Sequence, residues 1–253
     1  MRTFALYLAL LSCAAAVPAA AQDDKGSSLS VGIDYTTGDY GQPSDTTITY
    51  VPVTYKLGGR PWQFGVTVPW IKVEGPGNVT RDTGRIGGAG ATRTESGIGD
   101  VLLFATRSLA VTQGGLALDL TGRVKLGTAS RSDGLGTGEN DFHVQLDAYA
   151  VAGEFTPFAT LGYKFLGDPP GIALRDVLYA ELGAARRLDE QRSAGLMWHG
   201  QERTTAGGSP QSEVTAFYTR RFGQGWKAQF YGLLGLADGS PDYGGGAFLI
   251  RAF

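Results

Sequence analysis

The chain has 253 residues, 42% of them hydrophobic, with 39 glycines, two methionines and a formal net charge of −2. The two signs are spread along the sequence, so no basic patch exists to attract nucleic acid, and that partner class is excluded. Much glycine alongside Tyr, Phe, Thr and Val favours strands and turns over helices.

In chain order, residues 1–21 come first. Arg2 supplies a positive start, FALYLALL an apolar stretch, and Ala19-Ala20-Ala21 a small-residue site before Gln22-Asp23-Asp24. This is the layout of a cleaved secretory signal. A membrane anchor competes, since residues 4–21 carry no charge and are nearly long enough to span. Pro18 and the alanines speak against it. LLSC around Cys13 resembles a lipoprotein cleavage box, but a cut there would leave a very short signal. Cys13 is the only cysteine, so the expected mature chain, 22–253, holds no disulfide and no thiolate nucleophile or ligand.

From Ser28 onward one theme repeats: a run of alternating character, then a Gly, Pro or Asp cluster. Twelve such segments fall at 28–37, 46–57, 62–73, 96–108, 114–127, 139–151, 155–167, 175–188, 192–203, 211–222, 226–238 and 244–253. In WQFGVTVPW, residues 62–70, Trp62, Phe64, Val66, Val68 and Trp70 share one face. Aromatics at both ends of an aliphatic face suit a strand that crosses a bilayer. In residues 116–125, Leu116, Leu118, Leu120 and Val124 oppose Asp119, Thr121, Arg123 and Lys125. In 142–149, Phe142, Val144, Leu146 and Ala148 oppose His143, Gln145, Asp147 and Tyr149. Residues 226–236 set Trp226, Ala228, Phe230, Leu234 and Leu236 against Lys227, Gln229 and Tyr231.

Many segments are longer than ordinary sheet strands and match the ~9–11 residues that a tilted membrane strand requires. Turns after even-numbered segments are short, and connections after odd-numbered ones are longer, with the longest at 74–95. That asymmetry predicts an all-β, antiparallel, up-and-down transmembrane barrel of twelve strands, with both termini on the short-turn side. In the last segment Arg251 breaks the apolar face, while Phe248 and Ile250 fall on the other one. A soluble periplasmic barrel with its faces reversed is the competing architecture.

SGIGDVLL at 96–103 and LGTGENDF at 135–142 resemble the outer-membrane family named for the MetA pathway of phenol degradation, whose members are described as transporters. In that family a G-x-G-D strand start precedes a K-x-P-T-G-like stretch, and an L-G-T-G-x-x-D loop then opens the next strand. Lys125-Leu126-Gly127-Thr128 stands where the proline-bearing stretch would be. The resemblance implies a barrel in the outer membrane of a Gram-negative bacterium, with outer-membrane lipids and the assembly machinery as partners. In GLGTGENDF, 134–142, no lysine or helix follows to make a phosphate loop. Gly134, Gly136 and Gly138 are therefore expected at positive φ in a hairpin loop, with Asn140 and Asp141 fixing entry to the next strand.

The expected function is passive passage of a small solute through a mixed-charge interior, without cofactor, metal or covalent chemistry. Candidate lining residues are Asp100, Asp119, Arg123, Lys125, His143, Asp147, Glu181, Arg187 and Lys227, with Lys164, Glu213 and Arg221 on the same faces. The segment 74–95 is expected on the extracellular rim, where Arg81, Arg85 and Arg93 would form a gate over or inside the mouth. Two alternatives remain open. One is a structural barrel whose charges plug the interior as salt bridges. The other is a lipid hydrolase, which needs a serine within reach of His143 or of His199, the candidates for the latter being Ser193 and Ser212.

Overall fold

The computed structural model describes residues 11–12, 15–16, 26–86, 91–111 and 115–253. The leader expected over 1–21 lies outside them, apart from a pairing of Leu11–Ser12 with Ala15–Ala16. Twelve strands follow: β1 (Ser27–Gly38), β2 (Thr46–Gly59), β3 (Trp62–Gly75), β4 (Arg93–Ile98 continued by Val101–Val111), β5 (Leu116–Leu126) and β6 (Asp141–Ala150). Then come β7 (Phe155–Phe165), β8 (Val177–Arg187), β9 (Arg192–Gln201), β10 (Gln211–Phe222), β11 (Trp226–Gly235) and β12 (Tyr243–Ala252). Each pairs antiparallel with its sequence neighbours, and β12 pairs with β1, so the sheet closes. A closed barrel has no free edge, which is how strands satisfy their backbone groups in lipid. The connections follow the expected asymmetry. Residues 60–61, 151–154, 188–191 and 223–225 make short turns on one rim, while 39–45, 127–140, 166–176, 202–210 and 236–242 make longer loops on the other, from which the connection after β3 also leaves.

The outer face carries exposed Val31, Ile33, Val53, Leu120, Leu146, Leu161, Leu182 and Leu196 in a band. Aromatics flank it on both sides: Trp62, Phe155, Phe222 and Trp226 at the short-turn rim, and Phe142, Phe165, Trp198 and Tyr243 at the long-loop rim. An aliphatic band between aromatic girdles faces lipid, not water. The reversed, soluble arrangement is thereby overturned. Arg251, the misfit of β12, points outward beside the Trp226 ring at 5.3 Å, at the rim where a guanidinium reaches the interfacial water. Phe248 and Ile250 turn inward.

Six interior aromatics share one device. Phe248, Phe104, Tyr179, Phe158, Phe217 and Tyr231 stand directly across from Gly32, Gly65, Gly162, Gly183, Gly195 and Gly246 on the neighbouring strand. A Cβ on any of these glycines would lie 2.1 to 2.6 Å from the opposing ring. The missing side chain lets each ring lie along the wall instead of standing into the interior.

The long connection after β3 does not stay on the rim. Val79–Thr80 and Gly84–Arg85 pair as a small hairpin. Its loop, Arg81-Asp82-Thr83, precedes Gly84 at φ 67°, the pattern of a three-residue turn closed by a left-handed glycine. Val79 is fully buried in a cluster with Ile48, Tyr50, Ile71, Val73 and Leu135, so the hairpin docks inside the barrel mouth.

Candidate functional site

The register of the wall sorts interior charges into rows. Asp119, Asp147, Thr160, Glu181, His199 and Glu213 stand directly opposite one another in sequence across β5 to β10. Two rows nearer the long-loop rim, Arg123, His143 and Lys164 form a basic counterpart across β5 to β7. The row between is amide and hydroxyl: Thr121, Gln145, Gly162, Tyr179, Gln201 and Gln211. Because Asp119 and Asp147 are direct neighbours of like charge, each needs local donors. Asp147 receives Thr160 Oγ1 at 2.7 Å and Gln145 Nε2 at 2.8 Å, and Asp119 receives the Tyr149 hydroxyl at 3.3 Å. Tyr179 donates its hydroxyl to Gln145 Oε1 at 2.9 Å, and His199 Nδ1 lies 3.0 Å from Glu181 Oε1.

The remaining expected residues fall into three places. Lys125 sits at the long-loop rim, with its Nζ 2.9 Å from Asp100 Oδ2, 3.0 Å from Asp141 Oδ2 and 3.1 Å from Thr137 Oγ1. The two sequence stretches that carry the family resemblance thus meet on one lysine. Asn140 accepts from the Gly127 amide, and Asp141 from the Gly167 amide, both at 2.9 Å, as expected for residues that start β6. Gly134 and Gly138 adopt positive φ, but Gly136 does not. Gly136 is needed for close approach instead, since a Cβ there would lie 2.7 Å from Ala129 Cβ and 2.9 Å from Asp100 Oδ2. Near the short-turn rim, Lys227 stands opposite Arg221, and Arg187 donates to the Gly153 carbonyl at 3.4 Å.

The third place is the hairpin. Arg81 Nη2 lies 3.0 Å from Asp34 Oδ2 on β1, and its guanidinium sits over the Tyr50 ring of β2 at 4.2 Å. On the far side, Lys164 of β7 donates to the Asp82 carbonyl at 3.2 Å, and Thr204 beyond β9 donates to the Thr83 carbonyl at 2.7 Å. In a ring of twelve strands β7 faces β1, so three consecutive residues span the interior from wall to wall. Burial alone would raise the Asp82 carboxyl, but the cations Lys164, Arg81 and Lys125, with His143, outweigh it and hold that carboxyl below its ordinary range. Arg85 donates to the Gly41 carbonyl at 3.2 Å, and Asn78 to Gln42 Oε1 at 2.6 Å. Arg93 remains exposed at the rim, beside Gly77. Beyond the hairpin a cavity of about 560 Å³ opens among the long loops, lined by Asn78, Arg85, Ile86, Arg131 and several glycines.

Beneath the hairpin the interior is closely filled. Tyr179, Lys164, His199, Gln145, Gln229 and Glu181 are all fully buried. Asp34, Tyr50, Asp82 and Gln201 belong to this site although the sequence did not single them out. The alternation in VGIDYTTG marks Asp34 as inward by the rule that found Asp119. The hydrolase pairs are not assembled. Ser212 sits on the outer face, where its Oγ accepts from Trp198 Nε1 at 3.0 Å. Ser193 is six residues from His199 on one strand, on the order of 20 Å along an extended chain.

No family model matches the chain, and no curated protein matches it in sequence. Solved structures do resemble it in fold. The COG4313 outer membrane channel from Pseudomonas putida F1 is similar with a TM-score of 0.74 at 15% identity, over 92% of this chain and 97% of that one. The KdgM porin is similar with a TM-score of 0.57 at 8% identity, over 89% of this chain and 99% of that one. The β domain of the Bordetella autotransporter BrkA is similar with a TM-score of 0.57 at 14% identity, covering 91% and 100%. The chain is a closed twelve-stranded antiparallel barrel of the Gram-negative outer-membrane type.

Proposed function

We propose that the protein is a gated outer-membrane channel for passive passage of small solutes, held shut in this state by the hairpin 79–85. The observation that carries this reading is the hairpin's span between β1 and β7, made by side-chain hydrogen bonds and not by strand pairing with the wall. Polar interior atoms without a protein partner support it, among them both amide atoms of Gln229, Asp119 Oδ1 and Glu181 Oε2. Such groups call for water or solute. Two of the similar folds bear the names channel and porin, in keeping with the same reading. In this proposal Asp119, Asp147 and Glu181 line the middle of the path, Arg123 and His143 line the same wall nearer the long loops, and Lys227 lies near the short-turn rim. Arg81, with Arg85 and Arg93 nearer the rim, forms the gate. The finer likeness to the MetA-pathway family rests on the two stretches joined at Lys125. Outer-membrane lipids and the assembly machinery are the partners it implies.

The second reading is a structural barrel with a plugged interior, favoured by the complete burial of Lys164, Glu181 and Gln229. Replacing 78–86 by a short Gly-Ser linker separates the two. Single-channel conductance in a planar bilayer is expected to rise severalfold over the intact protein. A deletion variant that folds but passes no current would favour the plugged barrel.

A further inference from the structure

The Arg81 side chain occupies a pocket that it does not itself build. Asp34 takes one guanidinium nitrogen at 3.0 Å, and Tyr50 lies flat beneath the group at 4.2 Å. The Tyr231 hydroxyl donates to the same Asp34 carboxylate. Glu213 lies within electrostatic reach of Arg81, Asp34 and His199, and His199 joins it to Glu181 through the row across β8 to β10. All these groups belong to the barrel wall, whereas the guanidinium arrives on a two-by-two-residue hairpin tethered through Gly75, Pro76 and Gly77.

Asp34 is 1% exposed and Glu213 3%. Asp34 Oδ1 and Glu213 Oε1 have no hydrogen-bond partner in the protein. Two buried carboxylates are costly beside a single guanidinium, and the arrangement has spare acceptors for a ligand with more donors. The flat tyrosine face suits a planar or alkylated organic cation. A metal ion fits less well, since among the described residues no three His, Cys, Asp or Glu side chains converge to hold one.

We propose that this acidic, tyrosine-floored pocket is a recognition site for small organic cations of the guanidinium class, and that Arg81 fills it as a tethered surrogate. A solute bearing that group enters by taking the place of Arg81, which frees the hairpin and unlocks the mouth. The ligand class rests on the pocket alone, while the unlocking rests on the channel reading above.

The test uses full-length barrel refolded in detergent, with methylguanidinium chloride as the probe and urea as its uncharged isostere. Isothermal titration is expected to show Arg81→Ala binding methylguanidinium at least about tenfold more tightly than the native protein, because the competing occupant is gone. Adding Asp34→Asn to Arg81→Ala is expected to weaken that binding by about tenfold or more. Adding Tyr50→Leu instead should weaken it several-fold, and it guards against a defect peculiar to the Asp34 variant. Urea should not bind. Equal affinity in native protein and Arg81→Ala, or affinity indifferent to both Asp34→Asn and Tyr50→Leu, would overturn the site. Bilayer currents distinguish this from failure of the channel reading. Binding in Arg81→Ala without conductance in any variant leaves the pocket standing and removes the channel. Conductance without discriminating binding does the reverse.

Discussion

A methyl group on Gly162 would stand 2.2 Å from the Tyr179 ring, and Tyr179 in turn holds Gln145, which holds Asp147. Gly162→Val is therefore expected to push the ring into the interior and to cost about 1–3 kcal/mol by overpacking. Urea unfolding in lipid vesicles would measure it. Gly122 makes a control, since a Cβ there meets nothing within 4 Å, so Gly122→Ala should leave the unfolding midpoint nearly unchanged. Lys125 gives a sharper case. Lys125→Met would strand the Asp100 and Asp141 carboxylates beside each other, with a loss of about 3–5 kcal/mol. Adding Asp141→Asn should restore part of the lost unfolding midpoint. Alternation alone identified the inward charges, because strand parity is a property of one segment. The six ring-on-glycine pairs were not legible, since they depend on which residue of the next strand stands opposite, and register is set by the closed barrel.

The hairpin is the element whose position responds to acid. Its Asp82 carboxyl, half-buried among cations, is held below its ordinary value of 3.8. A depressed carboxyl stabilises the docked state fully above the ordinary value and loses that contribution as pH falls through the folded one. Conductance is therefore expected to stay low from pH 7 to about pH 4 and to rise in stronger acid. Asp82→Asn should raise conductance already at neutral pH and abolish the Asp82 part of the acid step; an unchanged pH profile would refute the assignment. The length and arginines of segment 74–95 were legible, but whether its hairpin lies over the mouth or inside it was not. Two-residue strands carry no periodicity, and T-R-D-T-G is a weak turn signal inside a glycine-rich stretch. The wall strands, by contrast, repeat their alternation over ten or more residues, so their number and order could be read directly.

At the scale of the molecule, the twelve strands, the two aromatic girdles and the rim asymmetry all follow from that alternation and from turn length. What could not follow is how the interior is filled, because opposite walls meet only after closure. Closure itself joins β12 to β1 from Ala252↔Ser28 to Tyr243↔Thr37, and the Phe253 amide donates to the Ser27 carbonyl at 2.8 Å. The start and end of the barrel are thus held together much as any two strands at a short turn. Joining residue 253 to residue 27 through a short glycine linker, and opening the chain at 223–225 behind a fresh secretory leader, should give a circular permutant that assembles into the same barrel, visible as an unchanged heat-dependent shift in gel mobility. The seam between β1 and β12 would then be one more pair of neighbours, and the order in which strands are delivered to the membrane would be free to change while the finished ring stays the same.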